Sequence, residues 1–170
     1  MVYLAFYKGK GNFINKLVRF FTRSRYSHCV VVVQNAKVNL SVDDAFEYVD
    51  VTSVQYSSTS SKGGVYALRS ERRYMYEDFT NDVIDNSTKD WDIALIDKLE
   101  TTISDADVID FYNRTKNCKY DYLGAIGSVF AIFKQKKSRY FCSEWCAECL
   151  KLSKPYKYTP DSLYRYITSL

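Results

Sequence analysis

Apolar positions alternate or cluster in short runs through the first half of the chain and fall at helical spacing in the second. Val2 to Tyr7 reads as a short strand closed by the Gly9-Lys10-Gly11 turn. Asn12 then caps a helix to about Thr22, with Phe13, Ile14, Leu17, Val18 and Phe21 on one face and Lys16, Arg19 and Arg23 towards the other. Two readings stay open for it: contact with a membrane surface through residues 13–21, or an apolar face packed on the core, which suits a small domain better. From His28 the run to Val33 reads as a buried strand that turns near Gln34-Asn35-Ala36-Lys37, followed by strands at Val38–Val42, Phe46–Val51 and Gly64–Leu68. The Ser/Thr-rich stretch Ser53–Ser61 reads as a loop. Asp78–Asp92 is polar, acidic and weakly periodic, and lies within a segment, about 70–105, that reads as an insertion.

Helical spacing begins at Ala106–Lys116, with Val108, Ile109, Phe111 and Tyr112 near one side. After a turn at Asn117-Cys118, Tyr120-Asp121-Tyr122-Leu123-Gly124 leads into an apolar helix over Ala125–Phe133, and Lys134–Arg139 forms a basic loop. The last predicted helix, Cys142–Leu152, has Trp145, Cys146, Cys149, Leu150 and Leu152 spaced for a buried side and ends before Lys154-Pro155.

At 170 residues and 46% hydrophobic content the chain fits one globular domain rather than two. Net charge is +4, from 24 basic and 20 acidic residues, too mild to argue for a nucleic-acid partner. No apolar stretch approaches the roughly 18 residues of a spanning helix, so no transmembrane segment is expected. Five cysteines, with no secretory leader before them, suggest reduced thiols and a cytoplasmic setting, bacterial or phage-encoded, rather than a disulfide framework.

Candidate chemistry centres on the only histidine, His28, at the head of Val30-Val31-Val32-Val33. A cysteine nucleophile needs a base, and Cys142, in Tyr140-Phe141-Cys142-Ser143-Glu144, falls in the first turn of a predicted helix. There the macrodipole and unbonded main-chain N–H groups favour a thiolate, and the same N–H groups, Ser143's among them, suit an oxyanion. A third group would orient the imidazole. Glu47 is the first choice, because it interrupts the apolar and aromatic strand Phe46-Glu47-Tyr48-Val49, and Asp44 is the reserve. Each of these residues also has an ordinary role open to it: a packed histidine, a small buried cysteine, a solvent-facing glutamate.

A zinc site from Cys142, Cys146 and Cys149, with Cys29 and His28 as further soft ligands, is disfavoured because paired Cys-x-x-Cys knuckles from loops are missing. No metal and no cofactor is expected. Cys29 alternates with His28 along its strand and is expected on the opposite sheet face.

In joint order, Tyr-Ser-His before a valine strand, a later strand carrying Glu, Tyr-Asp-x-x-Gly and Tyr-Phe-Cys-Ser-Glu resemble the circularly permuted NlpC-type papain-like cysteine hydrolases, of the YiiX-like and lecithin retinol acyltransferase-like branch. The resemblance covers roughly residues 3–51 and 106–152. It implies Cys142 as nucleophile, His28 as base and Glu47 as third member, with Tyr120 lining the site and helping the oxyanion. The expected fold is α+β: a papain-like domain, its sheet mostly antiparallel, the nucleophile helix packed on it. The expected function is a cysteine hydrolase acting through an acyl-thiol on peptidoglycan-type peptides, other amides or lipid esters. Acyl transfer from the same site and a non-catalytic binding module are the alternatives.

Overall fold

A computed structural model describes residues 1–9, 16, 19–20, 24–40, 47–75, 90–97, 99, 101–127 and 138–170. Seven strands form one curled sheet: β1 (Val2–Tyr7), β2 (His28–Leu40), β3 (Glu47–Thr59), β4 (Gly64–Met75), β5 (Trp91–Leu95), β6 (Lys119–Tyr120) and β7 (Arg139–Tyr140). Their spatial order is β5-β1-β2-β3-β4-β6-β7, and every pairing is antiparallel except that of β6 with β7. Among the described residues it is accompanied by α1 (Asp105–Thr115), α2 (Tyr122–Gly127), α3 (Cys142–Cys149) and α4 (Pro160–Thr168). The class is α+β, as the pattern predicts. Among the described residues, no helix is long and apolar enough to cross a membrane.

The core lies between one sheet face and the helices. Leu4 and Phe6 of β1, Cys29, Val31 and Val33 of β2, and Tyr56 of β3 meet Val108 and Phe111 of α1, Trp145 and Cys146 of α3, and Leu163 and Ile167 of α4. The opposite face carries Ala5, Val30 and Val32. Trp145 is fully buried, and its indole N–H donates to Thr115 Oγ1 at 2.9 Å, which ties α3 to the last turn of α1. Capping boxes start α1 at Ser104/Asp107 and α4 at Thr159/Ser162, satisfying orphan N–H groups at each helix start. Helix α4 lies in a stretch for which the periodicity predicts no element. Its Tyr164 ring packs on Phe6 and Tyr26 at centroid distances of 5.2 and 4.9 Å.

Three expectations are corrected. No turn interrupts β2 at residues 34–37, because β1 pairs only as far as Val2 opposite Val33 while β3 continues alongside to Leu40. From Gln34 onwards β2 is thus, among the described residues, an edge of the sheet, and Asn35 and Lys37 are exposed there without ending the strand. The Ser/Thr-rich stretch is strand β3 up to Thr59 rather than loop. Ser57 and Ser58 are fully buried there, and their hydroxyls donate to the carbonyls of Cys29 and Tyr140, both at 2.7 Å. The segment read as an insertion enters the sheet at both ends: β4 runs to Met75, and β5 pairs with β1 on the far edge. On α1, Ile109 is exposed, while Val108, Phe111 and Thr115 face inwards.

Of the N-terminal helix, Lys16, Arg19 and Phe20 are helical. Arg19 donates to the carbonyls of Lys8 (3.0 Å) and Gly9, and the Phe20 side chain is exposed. Phe13, Ile14, Leu17, Val18, Phe21, Arg23, Asp44 and most of the predicted Ala125–Phe133 helix lie outside the described residues.

The turn from β3 to β4 passes through a 3-10 segment (Ser60–Lys62) and Gly63 at φ 75°, a left-handed conformation suited to glycine. Next to it, Gly64 pairs with Lys119 so closely that a Cβ would collide with the carbonyl oxygen of Cys118. Gly64→Ala is expected to cost about 2–3 kcal/mol, because rigid backbone must move. Urea unfolding would register this as a lower midpoint at unchanged slope.

Candidate active site

At its first residue β2 still pairs with β1, Tyr7 opposite His28, but its ladder with β3 stops at Val31 opposite Tyr56. β3 itself continues against β4 to Thr59 opposite Gly64. The sheet is therefore parted between β2 and β3 over residues 28–30. The Cys29 carbonyl, left without a ladder partner on β3, accepts the Ser57 hydroxyl at 2.7 Å and the Cys146 thiol at 3.6 Å. Cys146 lies one turn along α3 from Cys142, so this contact lays the start of α3 against the parting.

Three contacts fix that helix start. Phe141 is the extended N-cap residue (φ −97°, ψ 168°), and the Glu144 side chain reaches back to its main-chain N–H, one half of a capping box. Ser143 donates its hydroxyl to the Tyr158 carbonyl at 2.7 Å. Tyr140, on β7, receives both the Ser58 hydroxyl (2.7 Å) and the Asp121 N–H (3.0 Å) at its carbonyl. Below Phe141, the Tyr120-Asp121-x-x-Gly124 segment closes on itself, with the Gly124 N–H donating to Asp121 Oδ1 at 2.9 Å. A Cβ on Gly124 would stand 2.6 Å from Asp121 Oδ2 and 3.1 Å from the Phe141 ring. Glycine is needed at that close approach, and the motif's work is to seat Tyr120 and Phe141 together in one cluster with Ala125.

The Cys142 side chain is 4% exposed and has the side chains of Cys29 and His28 as its neighbours. The Cys29 thiol first, then the His28 contact and charge, hold the Cys142 thiol well below its ordinary range despite burial, which opposes ionisation. Burial, with Cys142 and Cys146 as neighbours, pushes the Cys29 thiol in the opposite direction, so Cys29 stays protonated and donates. Burial, then the neighbouring Cys142, raises Tyr120 well above the ordinary phenol value and keeps its hydroxyl a donor. On the far side of the imidazole, His28 Nε2 lies 3.2 Å from Tyr66 Oη, and the two rings stack at 18° with centroids 6.4 Å apart. Burial raises Tyr66 too, and beyond that the cysteines 146, 142 and 29.

The structure thus brings Cys142, at the first position of α3, to His28, with Tyr120 beside them. Ser143 adjoins them, but its hydroxyl is committed to Tyr158, so any part it plays in binding an oxyanion belongs to its main chain. Glu47 is not brought there. It begins β3 opposite Leu40, at the end of β2 remote from His28, and twelve residues of strand at ~3.3 Å each separate them by roughly 40 Å. Asp44 is outside the described residues. The group that meets His28 is Tyr66, which the pattern presents as one more aromatic in an apolar run. The sequence signal for it is the register set by the turn at Gly63, which pairs Tyr66 with Ser57 just where β2 parts from β3. Cys29, expected on the opposite face from His28, is also a neighbour of Cys142. Among the described residues, no three His, Cys, Asp or Glu side chains are arranged to hold a metal ion. Compared with models of known protein families and with curated proteins, the chain matches none.

Glu144 is 2% exposed, and burial pushes its carboxyl up to about 8; Asp121 and Glu148 add to the rise, while the Phe141 N–H opposes it. The folded protein therefore binds a proton that the unfolded chain releases near pH 4.5. The stability this contributes is complete below that pH and drains away as pH rises through about 8, by at most ~1.4 kcal/mol per pH unit. Glu144→Gln keeps the shape and the acceptor without the titration. Denaturant midpoints measured at about pH 5 and about pH 8 should fall in the native protein and stay level in the variant.

Proposed function

We propose that this protein is a cysteine hydrolase, papain-like in fold and with histidine preceding cysteine in the chain, that cleaves an amide or ester bond through an acyl-thiol intermediate. The observation that carries this reading is the meeting of His28 with a Cys142 thiol held well below its ordinary pKa at the first residue of α3. A nucleophile, a base within reach and helix-start N–H groups are the components that acyl transfer to sulfur requires. The α+β architecture, with a mostly antiparallel sheet and the cysteine helix against it, supports the papain-like assignment.

In this mechanism His28 takes the thiol proton and Cys142 attacks the substrate carbonyl carbon. Nε2 is paired with the Tyr66 hydroxyl, which leaves Nδ1 to take the proton, and Tyr66 fills the orienting position that the resemblance gives to Glu47. The oxyanion of the tetrahedral intermediate is received by main-chain N–H groups at the start of α3 and by the Tyr120 hydroxyl, which burial keeps protonated. His28 then gives its proton to the departing amine or alcohol, which leaves Cys142 acylated. Water, deprotonated by the same imidazole, attacks the thioester and frees the acid.

p-Nitrophenyl acetate tests the reading. We expect a nitrophenolate burst with an acetyl group on Cys142, then slower turnover as water clears the thioester. Cys142→Ala should lose the burst, and His28→Ala should slow acylation by about 10²–10⁴-fold. Tyr66→Phe should lower kcat by about 10–100-fold with little change in KM, since it misaligns the base without touching the substrate. Acetylation spread over several cysteines and lysines without a burst would sink the proposal. Candidate amines and lipid alcohols added to the trapped acyl-enzyme separate hydrolysis from transfer.

A further inference from the structure

The five cysteines form no disulfide with one another, yet they differ sharply in surroundings. Cys118 and Cys149 are pushed up, both foremost by burial, and the Cys146 thiol is spent on the Cys29 carbonyl. At Cys142 the surroundings favour the thiolate, and a second thiol, Cys29, faces the same helix start from a different element: its carbonyl accepts the Cys146 thiol at 3.6 Å, one turn from Cys142, and the three cysteines share one buried cluster. Cys29 sits where β2 has parted from β3, its carbonyl held by two side chains instead of a ladder. A backbone without a ladder on that side can shift to bring the two sulfurs to the ~2.05 Å of a disulfide. Low-pKa nucleophiles are the thiols that peroxides oxidise first, and an adjacent thiol can convert the first oxidation product into a reversible disulfide before it goes further.

We propose that Cys29 and Cys142 are a reversible oxidation site, at which a hydroperoxide oxidises Cys142 and Cys29 resolves the product as an intramolecular disulfide. The proposal rests on the reading of Cys142 as the reactive thiolate. In the first step the Cys142 thiolate attacks the terminal oxygen of the hydroperoxide and the O–O bond breaks. The sulfur becomes a sulfenic acid, and the departing alkoxide, or hydroxide from hydrogen peroxide, takes a proton. In the second step the Cys29 sulfur, giving up its proton, attacks the sulfenic sulfur; the S–O bond breaks and the hydroxide leaves with that proton as water. Two thiols and one hydroperoxide thus yield one disulfide, one alcohol (or water) and one water, the two electrons passing from the sulfurs to the peroxide. While the bond stands Cys142 cannot attack a carbonyl, and a dithiol reductant restores it.

The full-length protein is treated with hydrogen peroxide and digested without reductant, and its cysteine peptides are identified by mass spectrometry. The expected product links the Cys29 and Cys142 peptides, with loss of nitrophenyl-ester turnover that dithiothreitol recovers. In Cys29→Ala and Cys29→Ser the same treatment should carry Cys142 to sulfinic and sulfonic acids, which dithiothreitol does not reverse. The native protein is informative by itself: a disulfide from Cys142 to any other cysteine, or irreversible oxidation of Cys142 with Cys29 untouched, overturns the proposal. A parallel iodoacetamide arm separates the two ideas. Selective alkylation of Cys142 without a Cys29–Cys142 disulfide under peroxide defeats the resolving role while leaving the nucleophile in place. Alkylation without preference for Cys142 removes the reactive thiolate on which both depend.

Discussion

Beyond Val31 the Cys29 carbonyl has no ladder partner on β3, and a buried carbonyl left unpaired costs about 1–3 kcal/mol. Its two replacements come from different parts of the fold: the Ser57 hydroxyl from β3 and the Cys146 thiol from α3. Satisfying one backbone oxygen therefore fixes both the width of the parting between β2 and β3 and the height at which α3 rests against it. Cys142 is one helical turn from Cys146, and His28 is one residue from Cys29, so the same oxygen sets the meeting of thiol and imidazole. The Trp145–Thr115 hydrogen bond and the capping of α3 by Glu144 keep the helix from turning about that point.

Around the sulfur, the described groups are imidazole, phenol and thiol, with Glu144 nearby held uncharged up to about pH 8. A Cys142 thiolate in such surroundings has His28 as its counter-charge, helped by the donor hydrogen of Cys29 and the dipole at the helix start. Tyr66 differs from a carboxylate in this setting. A neutral phenol fixes the direction of the ring without adding a negative charge that would hold a proton on the imidazole. On the proposed reading, orientation rather than charge is what this third residue supplies.

The placement of Cys142 and the partnership with His28 are legible in the sequence because each depends on local facts. A helix begins after an extended Tyr-Phe, and the chain has a single imidazole. Helix α1 and the strands at Val2–Tyr7 and His28–Val33 likewise follow from periodicity. What is not legible is whatever depends on register. Glu47 is a reasonable partner for His28 only if the following strand is short. Because β2 runs thirteen residues without turning, the same glutamate is carried to the far end of the sheet. Tyr66 becomes a partner only through the pairing that the Gly63 turn imposes, and one of sixteen tyrosines cannot be singled out without it. The serines of β3 hide for a related reason. Read as surface they make a loop, but buried they are the donors that close the seam beside the site.

The parting of the sheet also binds reactivity to vulnerability. Where β2 parts from β3, both Cys29 and His28 are neighbours of the Cys142 sulfur, and each of them favours the thiolate. On the proposed reading, the thiolate that would attack a carbonyl is also the form that would attack a peroxide. A hydroxyl in place of the Cys29 thiol could still donate to the sulfur, but only a thiol can also form a bond that a reductant reopens.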